Sequence, residues 1–124
     1  MATKLSSGQM ASLAVLDTFV PKFDQIHRLI EEMATLKADV SQVRRLSRML
    51  DEMKAAANAI GESGLSDTCG VMAMLVRRTG GLHMRVRSLR DSYVGLKTNF
   101  EGAYKRASTP EGAPAKEDAA NQGG

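Results

Sequence analysis

From Leu82 onward the apolar residues Leu82, Val86, Leu89, Tyr93, Leu96, Phe100 and Ala103 alternate steps of four and three without a fault. That spacing keeps one stripe on one side of an α-helix and suits no strand, whose faces alternate every second residue. A helix with one apolar side must bury it against neighbours, so the rest of the chain has to supply them. An earlier series, Ile26, Leu29, Met33, Leu36, Val40 and Val43, continues after one extra step through Leu46, Leu50, Met53, Ala57 and Ile60. Taken as one helix from Lys22 it would run about forty residues, roughly 60 Å at 1.5 Å per residue. A break near Lys37–Asp39 is the favoured reading, because Asp39 and Gln42 form a capping pair that can start a new helix. Gly61-Glu62-Ser63-Gly64 reads as the next interruption, followed by a helix from about Leu65 to Arg78 that Thr79-Gly80-Gly81 stops.

At the N-terminus, Ser6 or Ser7 can cap a first helix whose apolar side includes Met10, Leu13, Leu16 and Val20. Pro21 ends that helix or restarts the next, since its ring is tolerated only in a first turn. The last helix should end near Ala107. Beyond it come Pro, Gly, Ala and charge with nothing to bury, which predicts disorder. The expectation is an all-α chain: an antiparallel up-and-down four-helix bundle with an additional N-terminal helix over residues 1–107, and a disordered tail over 108–124. Composition agrees. Apolar residues make up 43% of the 124, aromatics only 4% with no Trp, and eight Met fill the interior. Such a core suits helix packing, and no alternating run of β-branched and aromatic residues predicts a strand.

Several functional classes lose support at this level. The single Cys69 cannot form an internal disulfide, and its expected place is a buried apolar position. No signal-peptide pattern and no apolar run of ~20 residues is present, so the cytoplasm is the expected compartment and no membrane partner is expected. Neither His27 nor His83 has a spaced partner for zinc, and no metal or cofactor is expected. Paired carboxylates, a triad or a phosphate-cradling loop after a strand cannot be assembled, which argues against an enzyme. His27, about 110° from its helix's stripe at 100° per residue, is expected on the solvated surface. Met72 and Met74 are expected to pack.

The charge is unevenly spread. Residues 1–107 hold 16 Lys or Arg against 11 Asp or Glu, and residues 77–106 alone hold 8 against 2. Arg44, Arg45, Arg48, Arg77, Arg78, Arg85, Arg87 and Arg90 form a basic constellation. It reads either as a solvated face or as a surface for phosphate or carboxylate. Nucleic acid is disfavoured, because no binding motif accompanies the charge and aromatics are few.

One segment carries a resemblance. Met53-Lys54, the small residues Ala55 to Ala57, Ile60-Gly61, Leu65 and Cys69 match, in order and spacing, the signature of bacterial histidine-phosphotransfer domains. The family is a four-helix bundle whose signature helix is followed by a Gly-containing turn and another helix. Two departures matter. Asp51 stands where the phosphorylated His belongs, and Ala55 where Gly admits a receiver domain. The stretch from Asp39 to Asp51 is also about one turn longer than the family's pattern. A carboxylate is a poor nucleophile and repels an incoming phosphate, so such a relative would bind without transferring. With Leu50, Met53, Ala57 and Ile60 buried, Asp51 points about 140° away from them at 100° per residue. The resemblance implies a non-catalytic two-component signalling adaptor. It would dock on the acidic active face of a response-regulator receiver domain through Arg48, Asp51, Lys54, Ala55 and Asn58. His83, about 100° from its stripe and near Arg85, Arg87 and Arg90, is a candidate relocated phosphoacceptor. The alternative is a helical assembly protein that self-associates or pairs with a partner helix through the near-unbroken stripe from Ile26 to Ile60. The sequence leaves the oligomeric state open.

Overall fold

A computed structural model of the chain describes residues 4–78 and 81–110. Those residues form five helices and no strand: α1 (Ser7–Asp17), α2 (Val20–Ala34), α3 (Val40–Ala59), α4 (Ser63–Arg77) and α5 (Leu82–Ser108). The expected tail lies, from residue 111, outside the described residues. The expected stop at Thr79-Gly80-Gly81 is described only at Gly81, which caps the start of α5 in the left-handed conformation, φ 56°.

α1 begins as the Ser6 cap predicts, with a reciprocal partner. Ser6 Oγ accepts from the Gln9 N–H and Gln9 Oε1 accepts from the Ser6 N–H, both at 3.0 Å. The helix stops at Asp17 because Pro21 has no N–H to donate to the Asp17 carbonyl and its ring would strike it. Pro21 instead sits in the first turn of α2. The apolar stripe nevertheless runs through the break. Leu16, Phe19, Phe23, Ile26, Ile30 and Met33 are all buried and keep steps of three and four. α1 and α2 therefore form one interrupted leg of the bundle. Both run antiparallel to α5: Gln9 Nε2 donates to the Arg106 carbonyl, 3.2 Å, and Arg90 pairs with Glu31.

The break between α2 and α3 falls where the capping pair places it. Asp39 Oδ1 accepts from the Gln42 N–H, 2.8 Å, and Gln42 Oε1 accepts from the Asp39 N–H, 2.9 Å. Two helix ends use the same closure. At the end of α3 the Glu62 N–H reaches the Ala57 carbonyl and the Gly61 N–H reaches Asn58, with Gly61 at φ 76°. At the end of α2 the Lys37 N–H reaches Glu32 and the Leu36 N–H reaches Met33, with Leu36 at φ 60°. Both are Schellman closures, whose left-handed residue is normally Gly.

α3 and α4 make the closest pair, an antiparallel hairpin whose seam includes Ser47, Ala57, Ser66, Cys69 and Ala73, all buried. Small side chains let two helix backbones approach. α4 then packs on α5, tied by Asn99 Nδ2 donating to Thr68 Oγ1, 2.8 Å, and by the Arg106–Glu62 ion pair. α5 in turn carries α1 and α2, which closes an antiparallel bundle. Where α2 meets α5 the Phe23 and Phe100 rings meet edge to face, centroids 4.8 Å apart, with Phe19 at 6.5 Å from Phe100.

Several positions depart from the predicted stripes. Met10, Val20, Leu36, Val40 and Met74 are exposed rather than packed. Val20 and Val40 open their helices, where the chain enters from a turn and no neighbouring helix covers it. Leu36 lies in the turn itself, and Met74 is on the outer side of α4. Met10 falls off the stripe that Leu16, Phe19 and Phe23 define. α4 also starts two residues before the predicted Leu65, and α5 runs one residue past Ala107.

Candidate functional site

Helical spacing of three and four places Arg48, Asp51, Ala55 and Asn58 along one side of α3. Arg48, Ala55 and Asn58 are exposed and Asp51 is half-exposed, so the side predicted for partner contact is open to solvent. Asp51 is not free on it. Its carboxylate is ion-paired with Arg77, across the hairpin on α4. Lys54 extends beside Gly70 on α4, where an added Cβ would lie 3.4 Å from its Cδ, Cε and Nζ. The absence of a side chain at Gly70 gives the Lys54 stem room to lie across the seam.

Towards the start of α3 this side opens into a cleft of about 690 Å³ at the end of the bundle where α4 finishes and α5 begins. Arg44, Arg48, Arg77, Arg78 and Arg85 line it, with Asp51 as its one carboxylate. Val40, Val43 and Val76 give it an apolar floor. Among the described residues Arg77 alone of these arginines has a carboxylate within ion-pair distance. Arg85 Nε is buried and has no hydrogen-bond partner among them. This cleft gathers five of the eight arginines that the sequence singles out. Their convergence from three helices was hidden in the sequence, because it depends on how the hairpin and the start of α5 meet.

A second groove, about 540 Å³ between α2 and α5, is electrostatically closed by comparison. Arg90 holds Glu31 through two hydrogen bonds, Nε at 2.9 Å and Nη2 at 2.7 Å. That bond keeps the Glu31 carboxyl below its usual range and raises Arg90. His27, exposed as expected, lies with its ring 5.4 Å from that of Tyr93. The Tyr93 hydroxyl donates to the Phe23 carbonyl, 3.2 Å, and burial, then the charge of Asp24, raises its pKa.

His83 is exposed in the first turn of α5 and does not line the cleft that Arg85 enters. The structure therefore brings Arg48 and Asp51 together with the basic cleft, sets Lys54, Ala55 and Asn58 beyond it along α3, and leaves His83 apart. Cys69 is fully buried, and burial pushes its thiol up to about 12, so it is no thiolate nucleophile in the folded protein. Among the described residues no three His, Cys, Asp or Glu side chains gather as a metal site, and no helix is long and apolar enough to cross a membrane. No family model, curated protein or solved structure matches this chain.

Proposed function

We propose that the protein is a non-catalytic cytoplasmic adaptor of two-component signalling. It presents the outer side of α3 to the acidic active face of a response-regulator receiver domain without taking phosphate. One observation carries this reading. At the position where the resemblance puts a phosphoacceptor imidazole, the chain has a half-exposed carboxylate already held by Arg77, on an open helix side flanked by cations. A carboxylate is a poor nucleophile towards an acyl phosphate and repels it, whereas Arg48 and Lys54 beside it suit an acidic surface. The turn at residues 35–39 divides the Ile26–Ile60 stripe on which the self-association reading rested.

Titration of the purified protein with receiver domains from its own organism tests the proposal. The expected result is saturable binding that weakens with salt and is lost on charge reversal at Lys54→Glu or Arg48→Glu. Absence of saturable binding, or binding indifferent to both reversals, refutes it.

A further inference from the structure

The cleft at the end of the bundle carries five arginines against a single carboxylate, Asp51. Of its five arginines only Arg77 meets a carboxylate, and Arg44, Arg48, Arg78 and Arg85 converge without one among the described residues. Like charges gathered in this way repel each other, and a buried guanidinium N–H left unpaired, as at Arg85 Nε, is unfavourable. An anion seated among them would relieve that repulsion. The first turn of α5 brings Arg85 into the cleft, so the positive end of that helix adds to the field.

Shape and floor narrow the class of anion. About 690 Å³ lies within the range of roughly 300–1,000 Å³ typical of small-molecule sites. An inorganic anion would leave Val40 and Val43 uncovered, and a neutral apolar ligand would leave the guanidinium groups unpaired. We propose that the cleft binds a nucleoside polyphosphate. The phosphate chain engages the guanidinium forks, and the nucleoside covers Val40 and Val43. Asp51 repels the phosphates and competes for Arg77, so it weakens the site and directs the chain to the other arginines. The proposal does not rest on the adaptor reading: the two share Arg48 and Asp51, but the cleft is built from Arg44, Arg77, Arg78 and Arg85 as well, and Lys54, Ala55 and Asn58 lie outside it.

Fluorescence titration of the full chain with a fluorescent adenosine triphosphate analogue at about 0.15 M salt tests it. Competitors are tripolyphosphate, citrate and an oligoglutamate peptide. The expected result is saturable binding, with tripolyphosphate competing more weakly than unlabelled adenosine triphosphate and citrate weaker still. Arg44→Gln and Arg85→Gln each weaken binding about tenfold or more, as loss of a charged hydrogen bond does. Asp51→Asn strengthens it, a gain that damaged folding could not produce, and Lys105→Gln, exposed at the far end of α5, leaves it unchanged. No saturation up to millimolar analogue overturns the proposal. So does citrate competing as well as the nucleotide, tighter binding of the acidic peptide, or indifference to Arg85→Gln in a variant with unchanged circular dichroism.

Discussion

Arg77 on α4 reaches across the hairpin to Asp51 on α3, so that carboxylate is tied to the neighbouring helix. The two side chains are 52% and 46% exposed, and water and salt screen the pair. An exposed pair of this kind contributes about 0.2–1 kcal/mol. Asp51→Asn and Arg77→Gln should therefore each lower stability in urea by less than about 1 kcal/mol, with a coupling in the double variant that fades as salt rises. A loss of several kcal/mol would mean that the pair is far less hydrated than its exposure indicates.

Under the proposed function, an imidazole in place of the Asp51 carboxylate should introduce phosphotransfer. In Asp51→His the ring nitrogen can attack the phosphorus of a receiver's aspartyl phosphate, the receiver's carboxylate leaves, and Arg77 balances the new phosphoramidate charge. Acid-labile label mapped by mass spectrometry should appear at residue 51 of the variant and nowhere in the parent chain. Label on His83 of the parent would contradict the absence of transfer.

Leu36 and Gly61 occupy the same place in two Schellman closures, and only one of them is suited to it. A left-handed conformation costs an L-residue roughly 1–2 kcal/mol, and Leu36 is 77% exposed, so little packing offsets that. Leu36→Gly should raise stability by about 1 kcal/mol, less the greater freedom of Gly in the unfolded chain. Gly61→Ala should lower it by about as much. Both are read from denaturant midpoints at unchanged slope.

Cys69 reports opening of the core. Its thiol is buried and held protonated up to about 12, against 9.0 when free. A disulfide reagent should modify it only at the rate at which the bundle unfolds. Because the folded value is raised, the stabilisation is present below pH 9.0 and is lost as pH rises from there towards about 12. Cys69→Ala should reduce the alkaline loss of stability, measured by urea unfolding across that range.

Asp39 sets an acid limit on the start of α3. The Gln42 N–H it accepts, and then the Ser41 hydroxyl, hold its carboxyl below the ordinary 3.8. With the folded value depressed, the capping stabilisation is full above that pH and disappears as pH falls through the folded value. Asp39→Asn keeps a capping oxygen without the charge, so its stability should depend less on pH below about 4 than the parent's does.

Local signals carried the helices further than they carried the site. The Ser6 cap, the Asp39–Gln42 pair and the faultless series after Leu82 are all short-range, and each marks a helix in the structure. Pro21 hid the core of the first leg. Read as a boundary, it separated Leu16 from Phe23, although Leu16, Phe19, Phe23 and Ile26 form one unbroken stripe across it. The outer side of α3 could be found from helical phase. The Asp51–Arg77 pair could not, because those residues lie 26 apart and meet only through the hairpin. The cleft needed three helices to converge, and the sequence showed its arginines only as scattered charge.

The order in which the helices pack bears on how the chain is made. α3 and α4 are adjacent in sequence and make the closest pair, whereas α1 and α2 lean chiefly on α5. During synthesis the hairpin can assemble early, while the first leg waits with Phe19 and Phe23 uncovered until Phe100 emerges. α1 and α2 thus leave the ribosome before α5 and find their place only after it.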